Sequence, residues 1–394
     1  MQIGLQIPSF KYPGGTAVIR PKLKEIVTTA EDAGFHSLWV MDHYYQIKGL
    51  FGEAYTDPML ESYTTLGYFA GLTEKAYLGV LVTGVIYRYP SVLLKMVNSL
   101  DILSGGRAYL GIGAAWYEEE AKGFGIPYPS TSERFEQLED NLKLAKALWA
   151  NDETSFAGQH FSAPAITNNP RPVSTPHPRI MIGGMGPKKT LRMVAQYADA
   201  CNFFEGAGME NVQKALDTLK VRCEEQGRDY DSIEKTSLGT VHLSENDTVD
   251  GVIKRIQKLS EMGFTHAIFN MPINIFQNNN RIVDHQTNGQ NKSQHTDNID
   301  RIAKDLQHPK GRDNRHRNGQ CRNQRRSAIM QKKINRKHNQ TKSEKKRFPN
   351  FLNCTVHINR FIVRKSGFYP LGQSRNNFGD LSFNPLSHFN CICL

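Results

Sequence analysis

Cysteine is scarce in the part of this chain that looks folded. Of six in 394 residues, only Cys201 and Cys223 precede residue 276, and these two have neither disulfide nor metal-ligand spacing. A disulfide scaffold and a metal site are therefore not expected, and a reducing compartment is. No uninterrupted apolar run of about 18 residues occurs, which leaves nothing long enough to span a bilayer as a helix. The first ten residues, MQIGLQIPSF, lack the charged start and apolar stretch of a secretion signal. A soluble, cytoplasmic protein is the expectation.

Negative charge is scarce in one region only. From Phe276 onward 23 Lys and Arg face 7 Asp and Glu, whereas residues 1 to 275 hold 26 against 31. The overall charge of +11 is thus a property of the tail. That tail is rich in Asn, Gln, Lys and Arg, has almost no Leu or Val before Phe351, and shows no sustained period. Clustered Lys and Arg could neutralise phosphates as a nucleic-acid-binding arm. The plainer expectation is a disordered, solvated or non-native segment, such as a frameshift or read-through fusion would add, with no nucleic-acid partner. Asn274 to Gln286 offers only Ile275, Phe276, Ile282 and Val283 as apolar residues, too few for the stripe of a covering helix.

What is present up to about residue 275 is alternation. Strand candidates are Gln2 to Ile7, Ser37 to Met41, Leu78 to Thr83, Ala108 to Gly113, Arg179 to Gly183, Ala200 to Phe204, Ser237 to Leu243 and Ala267 to Met271. Helical patterns lie between them, such as Lys22 to Ala33 and Val252 to Met262, with Gly34 and Gly263 placed to end them in the left-handed conformation. Eight repeats over this length predict a (β/α)8 barrel. The division expected is a barrel over 1–275, its last helix missing or replaced, and a tail over 276–394. One excursion, Tyr117 to His177, holds a helix at about Glu133 to Trp149 and a small extended element at SFAGQHFS.

Barrel enzymes build their sites at the C-terminal ends of the strands. There this chain has Asp42 and His43 after strand two, LGVLVTGVIYRYP along and after strand three, GIGAAWYEEE after strand four, and IMIGGMGPKKT after strand five. Gly183, Gly184 and Gly186 would let the backbone approach a phosphate at the start of the next helix, with Lys188 and Lys189 adding charge. A tight turn that needs small residues explains the same glycines equally well. Gly111 and Gly113 can mean no more than close packing. A histidine on a strand is often structural, but four such strand ends together point to a site.

These stretches resemble the luciferase-like monooxygenase superfamily of flavin- and deazaflavin-dependent barrels, especially its coenzyme F420-dependent oxidoreductases. The resemblance covers roughly residues 1 to 272. It rests on GFHSLWVMDHYY, on TGVIYRYPSVLLKMVNSLDILSGGRAYLGIGAAWYEEE, on IPYPSTSERFEQLEDNLKLAKALW and on PRIMIGGMGPKKTLRMVAQYADACN, in this order.

The resemblance implies catalytic roles for His43, beside the reactive face of the ring, and for Asp42 before it. It implies a cis peptide bond at Leu81–Val82, in a bulge supporting the ring, and a hydrogen-bonding role for Thr83. Gly113, Ala114 and Tyr117 match the segment passing the cofactor, and Met185 with Gly186, in the turn begun by Gly183 and Gly184, matches the phosphate turn. Where some sugar-phosphate dehydrogenases of the family carry an acid at the strand-four end, this chain has Trp116, so their substrate is not carried over. The function implied is hydride transfer between F420 and a small organic substrate. The alternatives are an FMN-dependent monooxygenase on the same fold and a non-enzymatic product with a nucleic-acid-binding tail. The expected partners are the small-molecule substrate and, as an assembly left open, a second copy in a homodimer, with no membrane.

Overall fold

A computed structural model describes residues 1–242 and 247–270. Eight parallel strands alternate with helices in it. The strands are β1 (Gln2–Ile7), β2 (Ser37–Val40), β3 (Tyr77–Val80), β4 (Ala108–Gly113), β5 (Arg179–Gly183), β6 (Ala200–Phe204), β7 (Glu234–Thr240) and β8 (His266–Asn270). Each pairs with its neighbour in sequence, β8 pairs with β1 through Gln2↔His266 to Gln6↔Asn270, and β3 pairs with β4 through Leu78↔Ala108. The sheet therefore closes into a (β/α)8 barrel.

Helices α1 (Ile19–Asp32), α2 (Ser62–Ala70), α3 (Pro90–Ser104), α4 (Glu118–Gly123), α5 (Thr131–Ala150), α6 (Thr190–Tyr197), α7 (Met209–Glu225) and α8 (Val249–Glu261) follow the strands. Their starts and stops are legible in local chemistry. Gly34 and Gly263 both have positive φ, 86° and 92°, and the next amides, of Phe35 and Phe264, bond back to Ala30 and Leu259. At the start of α5, Ser130 and Glu133 form a reciprocal capping box. The apolar faces of the helices, such as Leu23, Ile26, Val27 and Ala30 on α1, pack on the outer face of the sheet. Inside the barrel a smaller cluster of Trp39, Leu81, Tyr109, Met181, Ala200 and Ile268 fills the lumen.

At the end formed by the strand N-termini the lumen is polar, and its charged groups are paired. Trp39 Nε1 donates to Ser37 Oγ at 2.6 Å, Ser37 Oγ lies 2.8 Å from His266 Nε2, and His266 Nδ1 lies 2.9 Å from Glu234. Tyr109 and Arg179 complete the carboxylate's shell. This network explains why β7 begins at Glu234 rather than at Ser237 as expected. Glu234 and Thr236 are polar but face inward to partners, so alternation of apolar residues does not mark the strand. It ends at Thr240, short of the expected Leu243, which lies outside the described residues.

Strand three is also not one run. β3 stops at Val80, the Leu81–Val82 peptide bond is cis, and pairing resumes at Thr83–Gly84 against Ile112 and Gly113. The resulting bulge lies over β4 and β5. A Cβ at Gly111 would stand 1.9 Å from the Val80 carbonyl oxygen, and one at Gly183 would stand 2.8 Å from Val82 Cγ2. These glycines leave space for the bulge.

The excursion holds α4, α5 and an antiparallel hairpin, Glu153–Ala157 with Ser162–Thr167. The helix after β5 starts at Thr190, following a turn over residues 187–189. The expectations for Met271 and for the tail over 276–394 fall outside the described residues. Among the described residues no helix is long and apolar enough to cross a membrane, and no group of three or more His, Cys, Asp or Glu could hold a metal ion.

Candidate active site

A cleft of about 550 Å³ opens at the C-terminal ends of the strands. Asp42 and His43 enter it from β2, Leu81, Val82 and Thr83 from the bulge, Gly113 and Ala114 from β4, and Gly183, Gly184, Met185 and Gly186 from the turn after β5. Eleven of the twelve residues expected at the site thus share one cavity. Tyr117 stands just behind the cleft wall, its ring edge-on to His43 at 5.8 Å. It is buried, its hydroxyl faces the Gln46 carbonyl at 3.5 Å, and its ring backs that of Trp116, 5.1 Å away and nearly parallel. The residue that reaches the cleft there is Trp116, 59% exposed and edge-on to His43 at 5.5 Å.

Asp42 differs in chemistry from its neighbour. Both of its oxygens are held by Arg88, at 2.7 and 2.9 Å, and Ser62 donates to it at 2.6 Å. Arg88 also reaches Glu61 at 2.5 Å, and Glu61 caps α2 by accepting from the amides of Tyr63 and Thr64. Burial opposes the charge of Arg88, but the hydrogen bonds and charge of Asp42 outweigh it and its pKa is raised. An aspartate so engaged anchors the end of β2 to α2 rather than offering a free carboxylate. Tyr63 then bonds Thr83 at 3.1 Å, tying the same helix to the bulge.

His43 is free on one side. Its Nδ1 lies 3.1 Å from Oε1 of Glu120, and among the described residues no hydrogen-bond partner faces its Nε2. Glu120 is wholly buried and also accepts from the amides of Tyr44 and Tyr45, at 2.5 and 2.8 Å, and from the hydroxyl of Tyr87 at 2.5 Å. Burial, and then the hydrogen bond to Glu120, raise the pKa of Tyr87, so its hydroxyl keeps its proton and donates. Glu120, Tyr87 and Arg88 were missed in sequence. The signal for Glu120 was three glutamates in a row at the start of a helix, which does not say which one turns inward.

The opposite wall is built for close approach. The glycine turn runs from β5 into α6, with Gly184 at φ 111°, and the cleft continues past Thr190 at the helix start. First-turn amides of a helix have no partner within it and favour an anion. A volume near 550 Å³ fits a tricyclic ring with a side chain. The apolar bulge below, glycine and alanine of β4 at one edge and this turn at the other are consistent with a flat ring whose phosphate lies at α6.

Fold and site together define a parallel (β/α)8 barrel with a ring-sized cleft at the carboxyl ends of its strands. The chain belongs to the luciferase-like monooxygenase family, whose model matches residues 1–307. It is 29% identical over 217 residues to an F420-dependent glucose-6-phosphate dehydrogenase of Kineococcus radiotolerans, covering 55% of this chain and 62% of that protein. An enzyme of the same name from Beutenbergia cavernae is 26% identical over 294 residues, with coverages of 62% and 85%. Among solved structures, the coenzyme F420-dependent tetrahydromethanopterin reductase of Methanopyrus kandleri superposes with a TM-score of 0.58 at 15% identity, covering 77% of this chain and 97% of its own. That likeness shows the shared fold.

Proposed function

We propose that the protein is an F420-dependent oxidoreductase that moves a hydride between the deazaflavin and a small organic substrate. The observation that carries this reading is the position of His43: held through Nδ1 by Glu120, it shares one cleft with the Leu81–Val82 bulge and the glycine turn. The names of the relatives favour F420 over FMN as the ring.

When bound, the deazaflavin would supply the hydride, accepting or giving it at its central ring carbon. Leu81 and Val82 would support one face of that ring, and Gly113 and Ala114 would allow it to lie flat. Gly184, Met185 and Gly186 would hold its phosphate with the α6 amides, Lys188 and Lys189 standing next in the chain. His43 Nε2 would take the proton from a substrate hydroxyl, or return it to a carbonyl oxygen, as hydride moves. Trp116 and Phe204, both substantially exposed on the cleft, would shield that exchange from water.

The test is turnover: loss of oxidised F420 absorbance on adding a panel of small alcohols, with the reverse reaction on the matching carbonyl compounds. Turnover that requires FMN and oxygen instead would replace this reading.

A further inference from the structure

We infer that Glu120 is the positioning residue of His43, fixing the imidazole as the Nδ1–H tautomer with Nε2 presented to the cleft. The inference rests on the proposed function for its catalytic meaning, but its physical content is independent of the cofactor. Three glutamates open α4. Glu118 pairs outward with Lys122, Glu119 accepts from Tyr55 at the surface, and only Glu120 turns in.

Inside, every neighbour within reach of the carboxylate is a donor. The amides of Tyr44 and Tyr45 can only donate, and Tyr87 keeps its proton. A carboxylate ringed by donors accepts, so the nitrogen of His43 facing it must carry hydrogen. The same two amides belong to the residues directly after His43, so Glu120 fixes backbone and side chain together. One carboxylate thereby sets the ring's rotation, its tautomer and the course of the chain leaving β2. Asp42, the sequence neighbour, cannot do this because Arg88 and Ser62 occupy both its oxygens.

The test uses the full chain with ¹⁵N-labelled histidine, the His43 signal being assigned by its loss in His43→Asn. At a pH where imidazole is neutral, the wild type is expected to show Nδ1 protonated and Nε2 bare. Glu120→Ala should shift His43 toward the Nε2–H form that free imidazole prefers, and lower kcat about 100-fold with KM nearly unchanged. Glu120→Gln, whose amide oxygen can still accept from Nδ1, should keep the tautomer and recover part of kcat. An Nε2–H tautomer in the wild type would overturn the inference whether or not any variant folds. So would unchanged tautomer and kcat in a folded Glu120→Ala. An Nδ1–H wild type that turns over no substrate with F420 would contradict the proposed function while upholding the role of Glu120.

Discussion

Arg88 grips both carboxylate oxygens of Asp42, at 2.7 and 2.9 Å, with the aspartate side chain 1% exposed and the arginine 8%. Removing one member of such a pair leaves the other charge buried and alone, which costs about 3–5 kcal/mol. Arg88→Ala is therefore expected to lower the unfolding free energy by an amount in that range, read as a lower urea midpoint at unchanged m-value. A loss below about 1 kcal/mol, the worth of a surface pair, would show that water reaches Asp42.

His43→Asn should leave the circular dichroism spectrum and melting temperature close to wild type, since the ring packs at the rim of the cleft. Turnover should fall about 100-fold or more, the usual contribution of a proton donor. Cofactor affinity should change much less. Full turnover in the variant would make the histidine a wall residue.

His43 is legible in sequence as a strand-end residue and Glu120 is not legible as its partner, for a physical reason. His43 and the glycine turn sit at strand ends, and strand ends are marked by local patterns: an apolar run, a break, a polar or glycine residue. The partners that give these residues their chemistry come from elsewhere, Glu120 from 77 positions on and Arg88 from 46 beyond Asp42. Pairing at that range depends on which way each helix turns its faces, and single residues do not announce it. The barrel was legible because hydrophobic periodicity repeats eight times, and β7 was misplaced where inward polar residues, Glu234 and Thr236, broke that periodicity. Trp116, beside Tyr117 in the motif, is the exposed one of two aromatic rings that meet His43, which the motif alone does not say.

Stability should fall as the solution is acidified, in two stages. Burial, reinforced by the nearby His266, lowers the pKa of His36 from its ordinary 6.5 to about 4, so the unfolded chain takes up a proton between those values that the fold refuses. Burial of Glu234 would raise its pKa, but the hydrogen bond and charge of His266, with Tyr109 and Arg179, outweigh it and hold it at about 2. Its contribution is present above the unfolded value near 4.5 and is lost as pH drops toward 2. Urea midpoints measured from pH 7 down to 3 should decline throughout, and Glu234→Gln should flatten the lower part of the curve. A midpoint independent of pH below 6 would contradict this.

Gly111 is held against the bulge, a Cβ there meeting the Val80 carbonyl oxygen at 1.9 Å. Backbone cannot move aside as a side chain can, so Gly111→Ala should either fail to fold or displace the bulge. The measurement is soluble yield together with cofactor affinity, and a variant normal in both would show that the bulge does not pack as described. Gly105→Ala serves as the control for added bulk, since a Cβ there meets nothing within 4 Å, although its φ of 70° adds a backbone cost of its own.

The central claim, that the cleft between His43 and the β5 turn holds a deazaflavin, is tested most directly by titrating the purified full-length protein with coenzyme F420 and, in parallel, with FMN, following fluorescence. The account predicts saturable, one-to-one binding of F420, much weaker binding of FMN, and loss of F420 affinity when Gly186 is replaced by a bulky residue such as Leu. Saturation by FMN that F420 cannot displace, or binding of neither ring, would contradict it.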